Sequence, residues 1–173
     1  LLKALDTKPK VEQKVETTNP EAYEFYLKAQ YKWDNGGGGF DFGANEEAEL
    51  IRKLLKQSIK LDKNLLRAKI LLGKTYFFED YKNKELALKA QNIFKEVLKE
   101  SEFSENKLFI GRALRNLGNT FYNYDIKKAN NYYLRALKIS KEITDNKGTI
   151  KCLMNIGVYY NEICDYRNSE FYY

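Results

Sequence analysis

A short pattern with a central glycine occurs three times in this chain and constrains its fold more than any other feature. The three copies are KILLGKTY, LRNLGNTF and LMNIGVYY, with glycines at Gly73, Gly118 and Gly157. Each copy has an aliphatic residue directly before the glycine and an aromatic residue three positions after it. The glycines lie 45 and 39 residues apart. Self-similarity at this period indicates repeat units of about two helices each.

A second pattern follows each glycine copy and places small and aromatic residues on one helical face. A glycine inside a helix costs about 1 kcal/mol relative to alanine, so three at one repeat position indicate close helix packing. We expect an Ala or Ser of the second helix to meet each glycine. The second patterns are Ala90, Phe94 and Val97; Ala129, Tyr133 and Ala136; and Ser169 with Tyr173. The side chains expected beside the glycines in the core are Leu72, Tyr76, Leu117, Phe121, Ile156 and Tyr160.

These patterns predict an all-α chain of eight helices arranged as tandem hairpins. We expect Asn19 to cap the first helix, with Pro20 at its first position. A Lys/Glu-rich linker is expected over 1–18 and the helical domain over 19–173, its repeats covering 19–62, 65–100, 104–144 and a truncated 147–173. The predicted helices cover 19–33, 45–62, 65–78, 84–100, 104–123, 126–144, 147–162 and 166–173.

At these residues the chain resembles the tetratricopeptide repeat (TPR) family, whose signature is W-x2-L-G-x2-Y followed by A-x3-F and a Pro. The stretch LMNIGVYYNEICDYRNSEFYY fits this signature best. Lys69, Leu114 and Leu153 stand where the family often has Trp, and the closing Pro is missing. The resemblance implies antiparallel helix hairpins stacked as a right-handed TPR superhelix.

The segment TTNPEAYEFYLKAQYKW, from Thr17 to Trp33, is similar to the opening of the TPR region in bacterial class III adenylate/guanylate cyclases and related signalling proteins. This resemblance implies a regulatory module of a larger protein, whose cyclase or kinase domain would lie outside this chain. The chain begins without Met and stops within an apolar pattern, so we expect it to be a piece of such a protein.

Partners of TPR domains usually bind in a concave groove lined by the first helix of each hairpin. Carried over by repeat position, the resemblance places eight basic or amide residues in this groove, without an acidic residue among them. Such a surface suits an acidic peptide or a C-terminal carboxylate. The eight residues are Arg67, Lys74, Arg112, Arg115, Asn116, Asn119, Lys151 and Asn155.

The glycine run in DNGGGGFDFGAN does not match a nucleotide-binding loop, because it lacks both G-K-[ST] and G-x-G-x-x-G. The nearby acidic residues, among them Asp34 and Asp41, do not match the EF-hand pattern for calcium. We therefore interpret the run as a surface connector between two helices, with Phe40 and Phe42 as residues that could pin it to the first hairpin.

Composition favours a binding module over an enzyme. The 173 residues include no His and only two Cys, which removes the commonest members of catalytic triads and zinc sites. We expect no cofactor, no metal and no catalytic residue. The net charge of +6 comes from well-mixed Lys and Glu, so nucleic acid and membranes are not the expected partners. Aromatic residues of FYNYDIKKANNYYLRA are expected in the core rather than in base stacking.

The expected compartment is the cytoplasm, since the sequence has no long apolar run and no disulfide framework. A different hypothesis is a structural oligomerisation unit. In that case the truncated last hairpin would leave Leu153, Ile156 and Tyr160 poorly covered, and the chain would form a homodimer through this face.

Overall fold

The structure, a computed structural model, describes residues 17–36 and 46–172. These residues form α-helices and contain no strand, which confirms the all-α prediction. The helices are α1 (Pro20–Asn35), α2 (Glu46–Leu61), α3 (Leu66–Glu79), α4 (Lys84–Phe103), α5 (Lys107–Phe121), α6 (Ile126–Glu142), α7 (Asn146–Glu162) and α8 (Tyr166–Tyr172). The expectations for the 1–16 linker, for Phe40, Asp41 and Phe42, and for Tyr173 lie outside the described residues.

Asn and Asp side chains cap the N-termini of most helices, since their oxygens satisfy free backbone N–H groups. The prediction for α1 is confirmed: the Asn19 side chain accepts from the Ala22 N–H at 3.1 Å, and Pro20 is the first helical residue. The same capping occurs at five later helices. Their caps are Asn83, Asn106, Asp125, Asp145 and Asp165.

The prediction that α5 begins at residue 104 is wrong, because α4 continues to Phe103. Ser104 instead caps the C-terminus of α4, and Glu105 follows with φ of 53°. The Asn106 N–H then donates to the Ser101 carbonyl at 2.8 Å, the bond that closes a Schellman motif. The Asn106 side chain also caps α5. One three-residue connection, from Ser104 to Asn106, thus ends one helix and starts the next.

Helices that follow each other in the chain pack together, and α3, α5 and α7 also contact one another in that order. Side chains from one hairpin turn bind the backbone of the preceding turn. The Asn123 amide donates to the Tyr81 carbonyl at 2.8 Å, and the Tyr124 hydroxyl donates to the Lys82 carbonyl at 2.7 Å. These bonds fix the register in which α3 and α5 lie side by side.

The central glycines allow an aromatic ring to reach the helix backbone. A Cβ added at Gly73 would lie 2.4 Å from the Phe94 ring, and one at Gly118 would lie 2.4 Å from the Tyr133 ring. Our expectation that Ala or Ser meets each glycine is therefore wrong for Gly73, where the nearest atoms all belong to Phe94. At Gly118 the Ala129 carbonyl oxygen does lie 3.1 Å from the added Cβ, but the Tyr133 ring is closer. In the third copy Ser169 does meet Gly157, since its hydroxyl donates to the Gly157 carbonyl at 3.1 Å.

The core residues predicted beside the glycines are buried or half-buried. The expectation of a poorly covered last hairpin is wrong for Ile156, which is fully buried, and for Tyr160, whose ring stacks on Tyr172 at 5.4 Å. Helix α8 provides this cover. The apolar side chains that do face outward near the last hairpin include Ile150, Met154, Ile163, Tyr166 and Phe171.

Lys69 occupies the position where TPR repeats often have Trp, and it is buried between α3 and α4. Its ammonium group binds Glu96 at 2.9 Å and Glu100 at 2.6 Å. Ion pairs with these two carboxylates therefore hold the ammonium group between α3 and α4. Among residues 17–36 and 46–172, no helix has the length and apolar character required to cross a bilayer.

Candidate functional site

All eight residues predicted for the groove line a single depression of about 510 Å³. Helices α3, α5 and α7 supply them from three parallel segments of the fold, and α1 adds Tyr26 and Gln30 at one side. The opposite faces of these helices carry buried residues such as Leu117 and Ile156. The amphipathic character of the three helices therefore directs the polar residues to one surface.

Three groove cations lie close enough to repel one another, and we call Lys74, Arg115 and Lys151 the cation row. Burial lowers the pKa of Lys74 from its ordinary value of 10.5 to about 8, helped by the charges of Lys151 and Arg115. Burial, followed by the charge of Arg115, also lowers the pKa of Lys151. The groove therefore holds positive charge at a cost in free energy.

Carboxylates compensate this charge only in part. In the described parts of the chain, no Asp or Glu oxygen forms an ion pair with a member of the cation row. Asp34 favours the charged form of Lys74 from a distance. The groove lining also includes Asp145, so the predicted absence of acidic residues holds for the eight residues but not for the whole groove.

Asp145 has a structural task at the start of α7. Its side chain accepts from the Gly148 N–H at 3.0 Å and so caps the helix. Six Lys or Arg residues line the groove against this one Asp, which leaves the surface strongly basic. The six are Arg67, Lys74, Arg112, Arg115, Lys147 and Lys151.

The groove asparagines play different roles. The Asn119 side-chain oxygen accepts from the Asn155 amide at 3.1 Å and from the Tyr133 hydroxyl at 3.0 Å. This network joins α5, α6 and α7 beneath the groove. Asn116 is buried, and its amide donates to the Arg112 carbonyl of its own helix at 2.8 Å. We therefore assign Asn116 to the groove floor rather than to ligand contact.

Sequence reasoning missed several groove residues, among them Lys147, Asp145 and Phe78. Lys147 precedes Lys151 by four residues, so the helical period could have identified it. The helical period could not have identified Trp33, which contacts a groove residue from another helix. The centroid of its ring lies 4.9 Å from the Lys74 ammonium group. That cation–π contact forms between α1 and α3 and depends on their packing.

Groups suited to metal or nucleophilic chemistry are sparse in the described residues. No cluster of three or more His, Cys, Asp or Glu side chains that could hold a metal ion occurs among them. Cys152 and Cys164 are free thiols, and burial raises the pKa of Cys152, which disfavours its reactive thiolate form. What the described groove does offer is a set of cations that can bind anions.

Comparison of the chain with protein-family models, with curated proteins and with solved structures gives no match. The resemblance to the TPR family and to cyclase-associated regions therefore stays an expectation. A function for the chain has to be inferred from the groove itself, and the cation row is its most informative feature.

Proposed function

We propose that this chain is a non-catalytic protein-interaction module whose basic groove binds an acidic segment of a partner protein. The observation that carries the proposal is the cation row, in which burial and mutual repulsion lower the pKa of Lys74 to about 8. Repulsion of this kind destabilises the free protein. A bound carboxylate would relieve it, so the groove is preorganised for an anion.

A peptide is the ligand that fits this groove best. Arg forks and Lys ammonium groups bind carboxylates, while exposed amides suit the main chain of an extended segment. The half-buried pair of Asn119 and Asn155 lies beside the cation row, and their mutual hydrogen bond does not use the Asn119 amide nitrogen or the Asn155 amide oxygen. In this proposal the hairpins stack as the right-handed superhelix of the TPR family, which the three glycine copies support.

The larger context of the proposal comes from the opening segment. We infer that the chain is the regulatory TPR region of a bacterial signalling protein, with any cyclase or kinase domain elsewhere in that protein. The segment from Thr17 to Trp33 supports this. A cytoplasmic location belongs to the same proposal and is supported by the free thiols of Cys152 and Cys164.

Fluorescence anisotropy with a labelled peptide tests the proposal. The probe is Glu-Glu-Ser-Ser-Ser with a C-terminal amide, hereafter the acidic probe. Replacing Arg112 and Lys151 together by Ala removes two groove cations, and we expect at least about a tenfold loss of affinity. The matched control replaces the exposed Lys53 and Lys56 of α2 by Ala, which changes net charge equally outside the groove. Affinity that survives the Arg112 and Lys151 replacements would contradict the proposal.

A second candidate function is self-association as a structural oligomerisation unit. The observation in its favour is a group of exposed apolar side chains near the last hairpin, of which Phe171 is 80% and Ile150 59% exposed. Patches of this kind often mark interaction sites. Light scattering over a range of concentrations tests it: a dimer that Phe171→Ser dissociates supports self-association, and a monomer at all concentrations contradicts it.

A further inference from the structure

An apolar depression adjoins the basic groove at the C-terminal ends of α3 and α5. It has a volume of about 380 Å³ and shares Phe78, Asn119 and Asn155 with the groove. None of the residues that line it is charged, in contrast to the groove. We call it the aromatic hollow, and its apolar lining residues are Phe77, Phe78, Tyr81, Tyr122, Tyr133 and Val158.

Aromatic rings form the walls and the floor of the hollow. The Phe77 and Phe78 rings meet edge to face at 5.1 Å, and Phe78 also contacts Trp33 at 5.9 Å. Phe78 is thus packed against Phe77 and against Trp33 of α1. Tyr133 lies beneath, with its hydroxyl donating to Asn119 at 3.0 Å. Burial raises the pKa of Tyr133, so this hydroxyl stays neutral and the floor carries no charge.

The hollow lies at a fixed distance from the cation row. Tyr122 follows Arg115 by seven residues, and Val158 follows Lys151 by seven, so each pair shares one face of its helix. A helix rises about 1.5 Å per residue, so seven residues place the hollow roughly 10 Å from the cation row along the helix axes. Tyr81 joins the same end of the groove, because its carbonyl accepts from the Asn123 amide at 2.8 Å.

An extended peptide covers about 3.3 Å per residue, so roughly three residues span the distance between the cation row and the hollow. We propose that the aromatic hollow is a subsite for a large apolar side chain, such as Phe or Leu, of the same acidic segment that binds the cation row. The partner segment then carries acidic residues and one large apolar residue about three positions apart. This inference rests on the proposed function and adds a second recognition element to it.

Complementarity argues for one continuous ligand. Two chemically different surfaces meet at Phe78, Asn119 and Asn155, which line both of them. An acidic segment without an apolar residue would leave the hollow filled with water. An apolar ligand alone would leave the repulsion among Lys74, Arg115 and Lys151 unrelieved. A segment with both features satisfies the two surfaces together.

A peptide series tests the inference by anisotropy. Glu-Glu-Ser-Ser-Phe places Phe three residues after the second Glu, and its counterpart is the acidic probe, which ends in Ser. We expect the Phe peptide to bind about ten- to a hundredfold more tightly, as burial of a large apolar side chain would give. In Glu-Glu-Phe the Phe directly follows the second Glu, so only about 3.3 Å of main chain separates them, and the gain should be less than about threefold. The reversed peptide Phe-Ser-Ser-Glu-Glu establishes in which direction the segment binds.

Protein variants test whether the higher affinity of the Phe peptide depends on the aromatic hollow. Replacing Tyr81 by Ser together with Val158 by Asn makes the hollow polar, and we expect the advantage of the Phe peptide to fall below about threefold. The matched control replaces the exposed Tyr31 by Ser and Leu88 by Asn, on helices α1 and α4. Circular dichroism verifies that both variants are folded. A gain that persists in the hollow variant would overturn the inference.

The outcomes separate this inference from the proposed function. If the acidic probe binds through Arg112 and Lys151 but Phe adds nothing, the hollow is not a subsite and the basic groove still is. If neither peptide binds, the groove and the hollow are overturned together. A gain that requires both the three-residue spacing and the intact hollow supports the inference.

Discussion

Two lysines of α3, five residues apart, are both removed from water in opposite electrostatic surroundings. Lys69 faces α4 and binds Glu96 and Glu100 at 2.9 and 2.6 Å. Burial alone would lower its pKa, but the hydrogen bonds to Glu100 and Glu96 raise it overall. Lys74 faces the groove, and burial together with Lys151 and Arg115 lowers its pKa to about 8.

This difference separates a structural charge from one that we propose to bind a partner. At Lys69 the desolvation of the ammonium group is offset by two carboxylates, so the pair belongs to the α3–α4 interface. At Lys74 the neighbouring cations add to the desolvation cost. A charge that destabilises the free protein is a typical feature of a binding site. The two positions therefore predict opposite responses to the same substitution.

The largest expected effect is on stability at the α3–α4 interface. Lys69→Met leaves Glu100 without its cation next to an apolar side chain, and we expect a loss of about 2 kcal/mol in the free energy of unfolding. This is below the full cost of breaking a buried pair, because Glu96 and Glu100 are partly exposed to water. Urea unfolding measures the loss. Adding Glu96→Gln and Glu100→Gln should restore part of it, and an unchanged midpoint in Lys69→Met would contradict the structural assignment.

The same substitution in the groove should stabilise the protein instead of destabilising it. Lys74→Met removes the desolvated charge, and we expect a gain of roughly 1 to 2 kcal/mol in unfolding free energy at pH 7, after loss of the contact with Trp33. The pH dependence identifies the cause. Below the folded pKa of about 8 the penalty is complete, and between 8 and 10.5 it disappears, because the folded protein loses the proton first.

Urea unfolding at several pH values tests this directly. The stability difference between Lys74→Met and the unmodified protein should be present at pH 7 and close to zero near pH 10.5, where Lys74 is neutral in the folded state. A difference that stays constant over this range would show that packing rather than charge causes it.

The affinity for the acidic probe should also depend on pH, but less strongly than the stability does. The free protein loses the Lys74 proton above pH of about 8, whereas a bound carboxylate would retain it. We therefore expect the acidic probe to bind about three- to tenfold more weakly at about pH 9.5 than at pH 7. Lys151, whose pKa is also lowered, acts in the same direction. Anisotropy in Lys74→Met should give a flatter profile, and an equally steep one would exclude Lys74 as the titrating group.

The smallest expected effect belongs to an exposed lysine. Lys89 pairs with Glu85 one turn earlier on α4, and both side chains are largely exposed. Exposed pairs of this kind contribute little to stability. We expect Lys89→Met to leave both the urea midpoint and the affinity for the acidic probe unchanged within error. A large shift would mean that loss of any lysine, and not its surroundings, determines the results at Lys69 and Lys74.

The sequence predicts local features of this molecule well. The helices and the Asn19 cap follow from patterns that repeat within a few residues. The eight groove residues were carried over from the resemblance to TPR repeats, and all of them line one depression. Arg112 and Lys151 line one groove because helical phase determines which face each occupies. The extension of α4 to Phe103 was missed, since Ser104 resembles an N-terminal cap but serves as a C-terminal one.

Features that depend on how helices meet could not be predicted in this way. The Phe94 ring fills the space beside Gly73, and this contact depends on the distance between α3 and α4. The carboxylates beside Lys69 lie 27 and 31 residues away in sequence. The aromatic hollow likewise forms where four helices, α3, α5, α6 and α7, converge. Such contacts join residues whose separation carries no periodic signal.

One titration tests the central claim that the cation row, rather than buried positive charge in general, binds an acidic partner. The acidic probe is titrated by anisotropy against the unmodified protein, Lys69→Met and Lys74→Met at pH 7, with circular dichroism to verify folding. We expect the affinity of Lys69→Met to be unchanged within about twofold and that of Lys74→Met to fall about tenfold. Equal affinities in the two variants, or no binding to the unmodified protein, would contradict the claim.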